Sequence, residues 1–172
     1  MYLLRYPLPE TEYGTTLKIK IIGLGSPHGD DQAGWEVIRL LQQQTLPENV
    51  ELLALDRPGL ALPNYFDGAD KVILIDACDA GWMLGEWQQF SLEQLLDCAG
   101  LQGGSSHQLG VADSLQLAAI TGVELPAITV ICVQIGQCGQ MEAMSPELFT
   151  SSKRICNNIH YQLNYAAVPS GI

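Results

Sequence analysis

The apolar positions of this chain follow two patterns that alternate along its length. Short continuous runs rich in isoleucine, valine and leucine predict buried strands, because such residues pack well on a pleated surface covered on both faces. The predicted strands are Leu17–Leu24, Val50–Leu55, Val72–Ile75, Ala127–Gln134 and, more polar and so nearer a sheet edge, Glu86–Phe90.

The segments between these runs space their apolar residues as one face of a helix does. Two helix starts carry the expected signals, namely Ser91 as an N-cap and Pro146 at a first helical position. The predicted helices are Asp31–Gln44, a short one at Leu60–Phe66, Leu92–Ala99, Leu109–Thr121 and a last helix from Pro146 whose apolar stripe is Leu148, Ile155, Ile159 and Leu163.

The alternation of strands and helices predicts an α/β fold, a three-layer α/β/α sandwich around a mainly parallel, twisted sheet of about five strands. Residues 1–172 are predicted to form one domain, in which residues 1–16 are an N-terminal extension. In sheets of this kind, ligands bind beyond the carboxyl ends of the strands. Catalytic and ligand-binding residues are therefore expected at that edge.

Two adjacent carboxylates, Asp30 and Asp31, follow the first predicted strand after a turn containing Gly23 and Gly25. The glycines leave room where a Cβ would obstruct the turn. Because phosphate-binding helix starts avoid negative charge, this pair favours a cation. Both acids could instead only cap the helix, at about 0.3–1 kcal/mol each. That interpretation suits Asp30, whereas a second like charge beside it needs a positive partner.

Two further acids, Asp56 and Asp76, end predicted strands, and His107 follows a loop rich in glycine and serine. Parallel strands would bring the acids to one edge. Two carboxylates and an imidazole form a ligand set suited to zinc, nickel or manganese. Asp76 could alternatively cap the following loop and His107 the following helix. His28, in the turn itself, is a second possible ligand or recognition residue.

The composition narrows the classes of partner. Of 172 residues, 47% are hydrophobic and 16% charged, and the net charge is −11. This balance argues against nucleic acid, which binds through clusters of Lys and Arg. Neither a membrane-spanning run nor a secretory signal is evident, so a cytoplasmic location is expected. The five cysteines contain no CxxC pair, which argues against a structural zinc knuckle or a disulfide framework.

Other catalytic motifs fit less well. A dinucleotide fingerprint would need glycine at position 28, where this chain has His28. Neither a GxSxG nucleophile turn nor a P-loop occurs. A thiol protease that pairs Cys78 with His107 remains an alternative, because sequence does not place the two side chains relative to each other.

Three motifs, in order, resemble those of the nickel–iron hydrogenase maturation endopeptidases, which trim a C-terminal tail from the hydrogenase large subunit. The family pattern GxGNxxxxD[DE]xxG is echoed by residues 23–34, with Ser26 where asparagine is usual, a turn one residue shorter, and Gln32 where glycine is common. The second motif, an apolar strand followed by Asp-Ala-x-Asp-x-Gly, matches residues 72–81. The third matches Ser105-Ser106-His107.

The resemblance implies a function and a set of site residues. It implies an endopeptidase that acts on a [NiFe]-hydrogenase large-subunit precursor, with Asp31, Asp76 and His107 as metal ligands. The metal is then the nickel already installed in the substrate, although zinc or cadmium could occupy the site in vitro. Asp56 joins these three as a catalytic candidate, without assigned chemical roles. We expect a monomer.

Two functions of other classes remain open. One is a non-catalytic, metal-dependent protein for hydrogenase assembly, which would bind its partner without shortening it. The other is a self-sufficient zinc hydrolase, which would carry its own metal and cleave unrelated peptides.

Overall fold

Five strands form one sheet in the computed structural model, which describes residues 17–101, 110–136 and 143–165, without the side chains of 98–101 and 165. The strands are β1 (Ile19–Gly25), β2 (Val50–Asp56), β3 (Lys71–Cys78), β4 (Trp87–Ser91) and β5 (Ala127–Gln134). Their spatial order is β2-β1-β3-β5-β4. All described pairings are parallel except that of β4 with β5. The predicted, mainly parallel sheet with a more polar edge strand is confirmed.

Helices cover both faces of this sheet. They are α1 (Ala33–Leu41), α2 (Leu92–Leu101), α3 (Val111–Ile120) and α4 (Pro146–Tyr165), with 3-10 segments at Gly29–Gln32 and Gly59–Phe66. On one face, α1 and α4 pack together over the sheet, while α3 and the second 3-10 segment lie on the other. This confirms the three-layer sandwich. None of the described helices is long and apolar enough to cross a membrane.

The core consists of two apolar clusters separated by the sheet. Along β3, Ile73 and Ile75 join the α1/α4 cluster, whereas Val72 and Leu74 join the α3 cluster. All four side chains are buried. A strand buried on both faces is apolar at every position, which explains why this run was easy to recognise in the sequence.

The first helix begins later than predicted. Residues Gly29–Gln32 form a 3-10 turn, and α1 runs from Ala33 to Leu41 rather than from Asp31 to Gln44. The reason is that Asp31 is bonded tightly within the turn. Its amide donates to the carbonyl of His28 at 3.1 Å, and its own carbonyl accepts from the amide of Ser26.

Strand β3 extends past its predicted end at Ile75, so that Asp76 lies inside the strand and the predicted loop Ala77–Gly85 begins after Cys78. The extension follows from pairing with β5, in which Asp76 lies opposite Cys132 and Cys78 opposite Gln134. In contrast, the predicted N-cap of α2 is confirmed, since Ser91 Oγ accepts from the Gln94 amide at 3.2 Å. The predicted N-terminal extension, residues 1–16, lies outside the described residues.

Candidate functional site

Three glycines bring the acidic turn close against the sheet. A Cβ on Gly25 would overlap the carbonyl oxygen of Asp31, and a Cβ on Gly34 would overlap that of Leu24. A Cβ on Gly23 would in turn overlap the carbonyl oxygen of Gly34. Two of these glycines lie within β1 and one is the second residue of α1, so they permit close packing of helix on strand. The result is that Asp31 lies directly at the carboxyl end of β1.

Asp31 and Asp76 face one pocket at the carboxyl edge of the sheet. The pocket has a volume of about 280 Å³ and combines the two carboxylates and Arg57 with apolar walls. Those walls include Leu24, Pro58, Leu62 and Val111. The expected convergence of strand-end acids therefore holds for Asp31 and Asp76. Such a pocket can hold a cation between the carboxylates and apolar groups of a ligand along its walls.

The pKa of the Asp76 carboxyl is raised to about 7, first because burial disfavours its charged form. The negative charge of Asp31 raises it further, while a hydrogen bond from the backbone of Ala77 opposes the shift. Near neutral pH the pair therefore carries unfavourable charge repulsion in a partly desolvated site. A cation placed between the two groups would relieve that repulsion.

Asp56 reaches the same edge but has a different environment. It lies opposite Gly25 in the sheet register, yet its carboxylate is paired with Arg57, whose Nε lies 2.6 Å from Oδ1. The hydrogen bond from Arg57 lowers the pKa of the half-exposed Asp56 carboxyl. A carboxylate with a lowered pKa is a weak base. These contacts make Asp56 less suited to proton abstraction than its place in the sequence suggested.

Arg57 is a site residue that the sequence reasoning did not propose. It has a positive φ of 40° and is the one non-glycine residue with positive φ in the described chain. Its amide donates to the carbonyl of Gly25 at 3.2 Å, which fixes it at the mouth of the pocket it lines. The available signal in the sequence was the Arg57-Pro58 pair directly after Asp56, which ends the second predicted strand.

Asp30 holds the backbone rather than facing the pocket. Its Oδ2 accepts from the Gly136 amide at 3.1 Å, and its Oδ1 accepts from the Ser145 amide at 2.7 Å. Gly136 follows β5, and Ser145 immediately precedes α4. The predicted scaffold role of Asp30 agrees with this geometry, whereas the predicted helix cap does not, because no side-chain cap hydrogen bond occurs at the start of the 3-10 turn or of α1. The carboxylate connects the acidic turn with the end of one strand and the start of one helix.

Replacing Asp30 with alanine should lower the free energy of unfolding by about 2–4 kcal/mol, because two hydrogen bonds to a charged acceptor are lost and two part-buried amides lose their partner. Urea denaturation gives this value, and faster hydrogen exchange at the Gly136 and Ser145 amides gives its location. Asp30→Asn retains one acceptor oxygen and should lose clearly less. Equal losses in the two variants would contradict the two-amide role.

The histidines contribute less to the described geometry. His107 lies outside the described residues, so its predicted role stays a prediction. His28 is exposed on the turn and lies near enough to Asp56 to contribute, after Arg57, to the lowered pKa of that carboxyl. Within residues 17–101, 110–136 and 143–165, no group of three or more His, Cys, Asp or Glu side chains is arranged to hold a metal ion.

Cys78, the nucleophile of the thiol alternative, has a thiol rather than an imidazole as its described partner. A hydrogen bond with the Cys132 side chain lowers the pKa of Cys78, and partial burial opposes that shift. The predicted base of this alternative, His107, lies outside the described residues, so the pairing of Cys78 with His107 stays a prediction.

Comparison with known families decides the assignment. A family model described as hydrogenase maturation protease (HycI) matches residues 35–161. The chain belongs to the hydrogenase maturation protease family. This confirms the resemblance seen in the sequence and the predicted class, a family of peptidases. The part of this chain that the family model matches contains Asp56, Asp76 and His107. It begins just after the acidic turn with Asp31.

Curated relatives are hydrogenase expression/formation proteins. The chain is 29% identical to HupM of Azotobacter chroococcum mcd 1 and 30% identical to HoxM of Azotobacter vinelandii, over 70% of its own length in each case. It spans 59% of the length of each of these relatives.

Solved structures show the same fold. The maturating endopeptidase HybD from E. coli superposes with a TM-score of 0.70 at 24% identity, covering 83% of this chain and 90% of that one. The maturation protease HycI from Thermococcus kodakarensis KOD1 gives 0.67 at 24% identity, covering 86% and 92%. These similarities confirm the α/β sandwich of a hydrogenase maturation protease.

Proposed function

We propose that this chain is an endopeptidase that removes the C-terminal extension of a [NiFe]-hydrogenase large-subunit precursor after nickel has been inserted. The observation that supports it most directly is the pair Asp31 and Asp76 in one pocket, within a fold of the hydrogenase maturation protease family. The enzyme would act in the cytoplasm as a monomer. The nickel belongs to the substrate, and the protease recognises it.

The donor set of the pocket fits that role. Two carboxylates with repelling charges gain from binding a divalent cation, and His107 is the third donor that we propose. Three protein donors leave coordination positions open on the ion. Ligands of the precursor itself would fill them, so that only a nickel-loaded precursor is held with its tail beside the pocket. A precursor without nickel would lose these contacts, which accounts for cleavage after insertion.

The test is single-turnover cleavage of nickel-loaded precursor by Asp31→Asn, Asp76→Asn and His107→Ala. We expect each variant to be slower by about 100-fold or more, because even the outer partners of metal ligands contribute roughly 10- to 100-fold. Asp67→Asn, an exposed acid away from the pocket, is the matched control and should cleave normally. If all three site variants cleave at near wild-type rates, the metal-guided proposal is wrong.

The same samples separate the two alternatives. An assembly protein would form a metal-dependent complex whose partner keeps its full mass in mass spectrometry. A self-sufficient zinc hydrolase would contain stoichiometric zinc after purification and would cleave unrelated peptides. The proposed enzyme requires neither resident zinc nor an unrelated peptide substrate.

A further inference from the structure

An apolar loop with two exposed side chains lies at the same sheet edge as the pocket. Residues 79–85 join the carboxyl end of β3 to β4, and we refer to them as the 79–85 loop. Met83 is 77% exposed and Leu84 41% exposed. Leu84 approaches Gly136, whose amide is bound by Asp30, so the loop lies beside the acidic turn. Exposed Met and Leu side chains at the sheet edge that also carries a pocket are typical of an interaction surface.

The 79–85 loop is held in place by the buried side chain of Gln134, the last residue of β5. Gln134 is only 4% exposed, and its Oε1 accepts from the amides of Ala80 at 2.8 Å and Trp82 at 3.1 Å. Its Nε2 donates to Asp79 Oδ1 at 3.0 Å. Because the buried Gln134 amide bonds three groups of the loop, the loop is already ordered before a ligand binds. Less conformational entropy is then lost on binding.

Further contacts fix both ends of the loop. Gly81 and Gly85 have φ of 76° and 78°, a conformation that favours glycine. A Cβ on Gly85 would lie 2.9 Å from Ser151 Oγ, so the loop packs closely on α4. The Trp82 ring stacks on Phe90 with 6.2 Å between ring centroids. The loop therefore presents Met83 and Leu84 to solvent in one defined arrangement.

The charges around the 79–85 loop indicate the chemistry of its partner. Exposed acids, Asp79 and Glu86, lie at its two ends, and residues 79–86 include neither Lys nor Arg. Glu147 adds a third exposed acid on the first turn of α4, where its backbone carbonyl meets Gly85. The complementary partner has apolar side chains next to basic ones.

We propose that the 79–85 loop is a docking surface for a polypeptide segment of the precursor that carries apolar side chains beside basic ones. The inference rests on the proposed function, because the segment belongs to the protein that is cut at the pocket on the same sheet edge. Met83 and Leu84 contact the apolar side chains, while the surrounding acids attract the basic ones. Docking increases affinity for the precursor and takes no part in the cleavage step.

The test compares Met83→Ser with Ile120→Ser in steady-state processing of nickel-loaded precursor by the full chain. Ile120 is 76% exposed and ends α3, whose opposite end begins at the pocket, so it is a matched control. Met83→Ser should raise KM by about tenfold, in the range of an interface anchor, with kcat and the thermal midpoint unchanged. Ile120→Ser should have the wild-type KM. The proposal is overturned if Met83→Ser keeps the wild-type KM or if both variants raise it equally.

Two substitutions of opposite charge at Met83 test whether the partner segment is basic. Met83→Lys should raise KM more than Met83→Glu, and the reverse order would overturn the basic segment. Light scattering over a range of protein concentrations tests whether the 79–85 loop instead binds a second copy of this chain. A dimer that Met83→Ser dissociates would make the surface a contact between copies and overturn the docking role.

Direct binding of the same precursor separates this inference from the proposed function. If the wild type cleaves and Met83→Ser binds the precursor as tightly as the wild type does, the docking role is wrong and the proposed protease function is supported. If the wild type binds the precursor through Met83 without cutting it, the protease fails and the docking role stands. If it neither binds nor cuts, both fail.

Discussion

Replacing Asp76 with asparagine should stabilise the metal-free protein increasingly as the pH rises, relative to wild type. Folding raises the pKa of this carboxyl from its ordinary value near 4 to about 7, mainly through burial. The folded state therefore keeps a proton that the unfolded state has released. Wild-type stability from this group is full below about pH 4, falls as the pH rises to about 7, and then stays constant.

Asparagine does not titrate, so the stability difference between Asp76→Asn and wild type should grow by about 2–3 kcal/mol between pH 5 and pH 8. Urea denaturation at both pH values, with a chelator present, measures it. In Asp67→Asn, where an exposed carboxyl is changed, the difference should not depend on pH in this range. A pH-independent difference for Asp76→Asn would contradict the desolvated, charge-repelled environment of this group.

This result would connect stability with function at one residue. The same substitution that stabilises the metal-free fold should slow processing strongly, because it removes one of the two carboxylates that we propose as cation ligands. Residues of this kind are retained against their cost in stability when a ligand uses them. Gain of stability and loss of cleavage together would distinguish a binding carboxylate from a structural one.

The second large effect is expected at Gly34, where α1 crosses the sheet. A Cβ there would overlap the carbonyl oxygen of Leu24 and lie 2.8 Å from both the Leu24 amide nitrogen and the Ile75 carbonyl oxygen. All three atoms belong to backbone in the central strands, so no side chain can move aside. Gly34→Ala should lower the free energy of unfolding by about 3 kcal/mol or more, measured by urea denaturation.

Gly122→Ala is the matched control for Gly34→Ala. Gly122 has a φ of 79° and no heavy atom within 4 Å of its Cβ position, so the variant carries only backbone strain of about 1–2 kcal/mol. If Gly34→Ala were as mild as Gly122→Ala, the close contact between helix and sheet would be wrong. Because Gly34 also positions the acidic turn, we expect the surviving fraction of folded Gly34→Ala to process precursor poorly.

The sequence was most informative where burial is complete. The central parts of β1 and β3 are covered on both faces, so residues 21–24 and 72–75 carry no polar side chain and the strand positions were predicted within a few residues. The edge position of β4 followed from its more polar residues. The end of β3 extends past its predicted position because it pairs with β5, a segment distant in the sequence. The start of α1 is set by hydrogen bonds within residues 26–31, which the spacing of apolar residues does not reveal.

The candidate site divides in the same way. Asp31 and Asp76 share a pocket because parallel strands end together, and this rule could be applied to the sequence directly. By the same rule Asp56 was expected beside them, but its carboxylate is held by Arg57. That pairing depends on the positive φ of Arg57 and its bond to Gly25, neither of which the order of residues reveals.

The sequence by itself determined the layered α/β fold, the family resemblance and the acids that can carry charge at one edge. These depend on periodicity and on residue type, which are written along the chain. Only the tertiary structure decided which acid is desolvated with a raised pKa, which holds the backbone and which is paired with an arginine. The desolvation of Asp76 and the hydrogen bonds of Asp30 involve segments far apart in sequence, whereas Asp56 pairs with its neighbour Arg57, whose backbone has a positive φ. The acidic turn thus has one residue, Asp31, facing the pocket and its neighbour, Asp30, joining a strand to a helix.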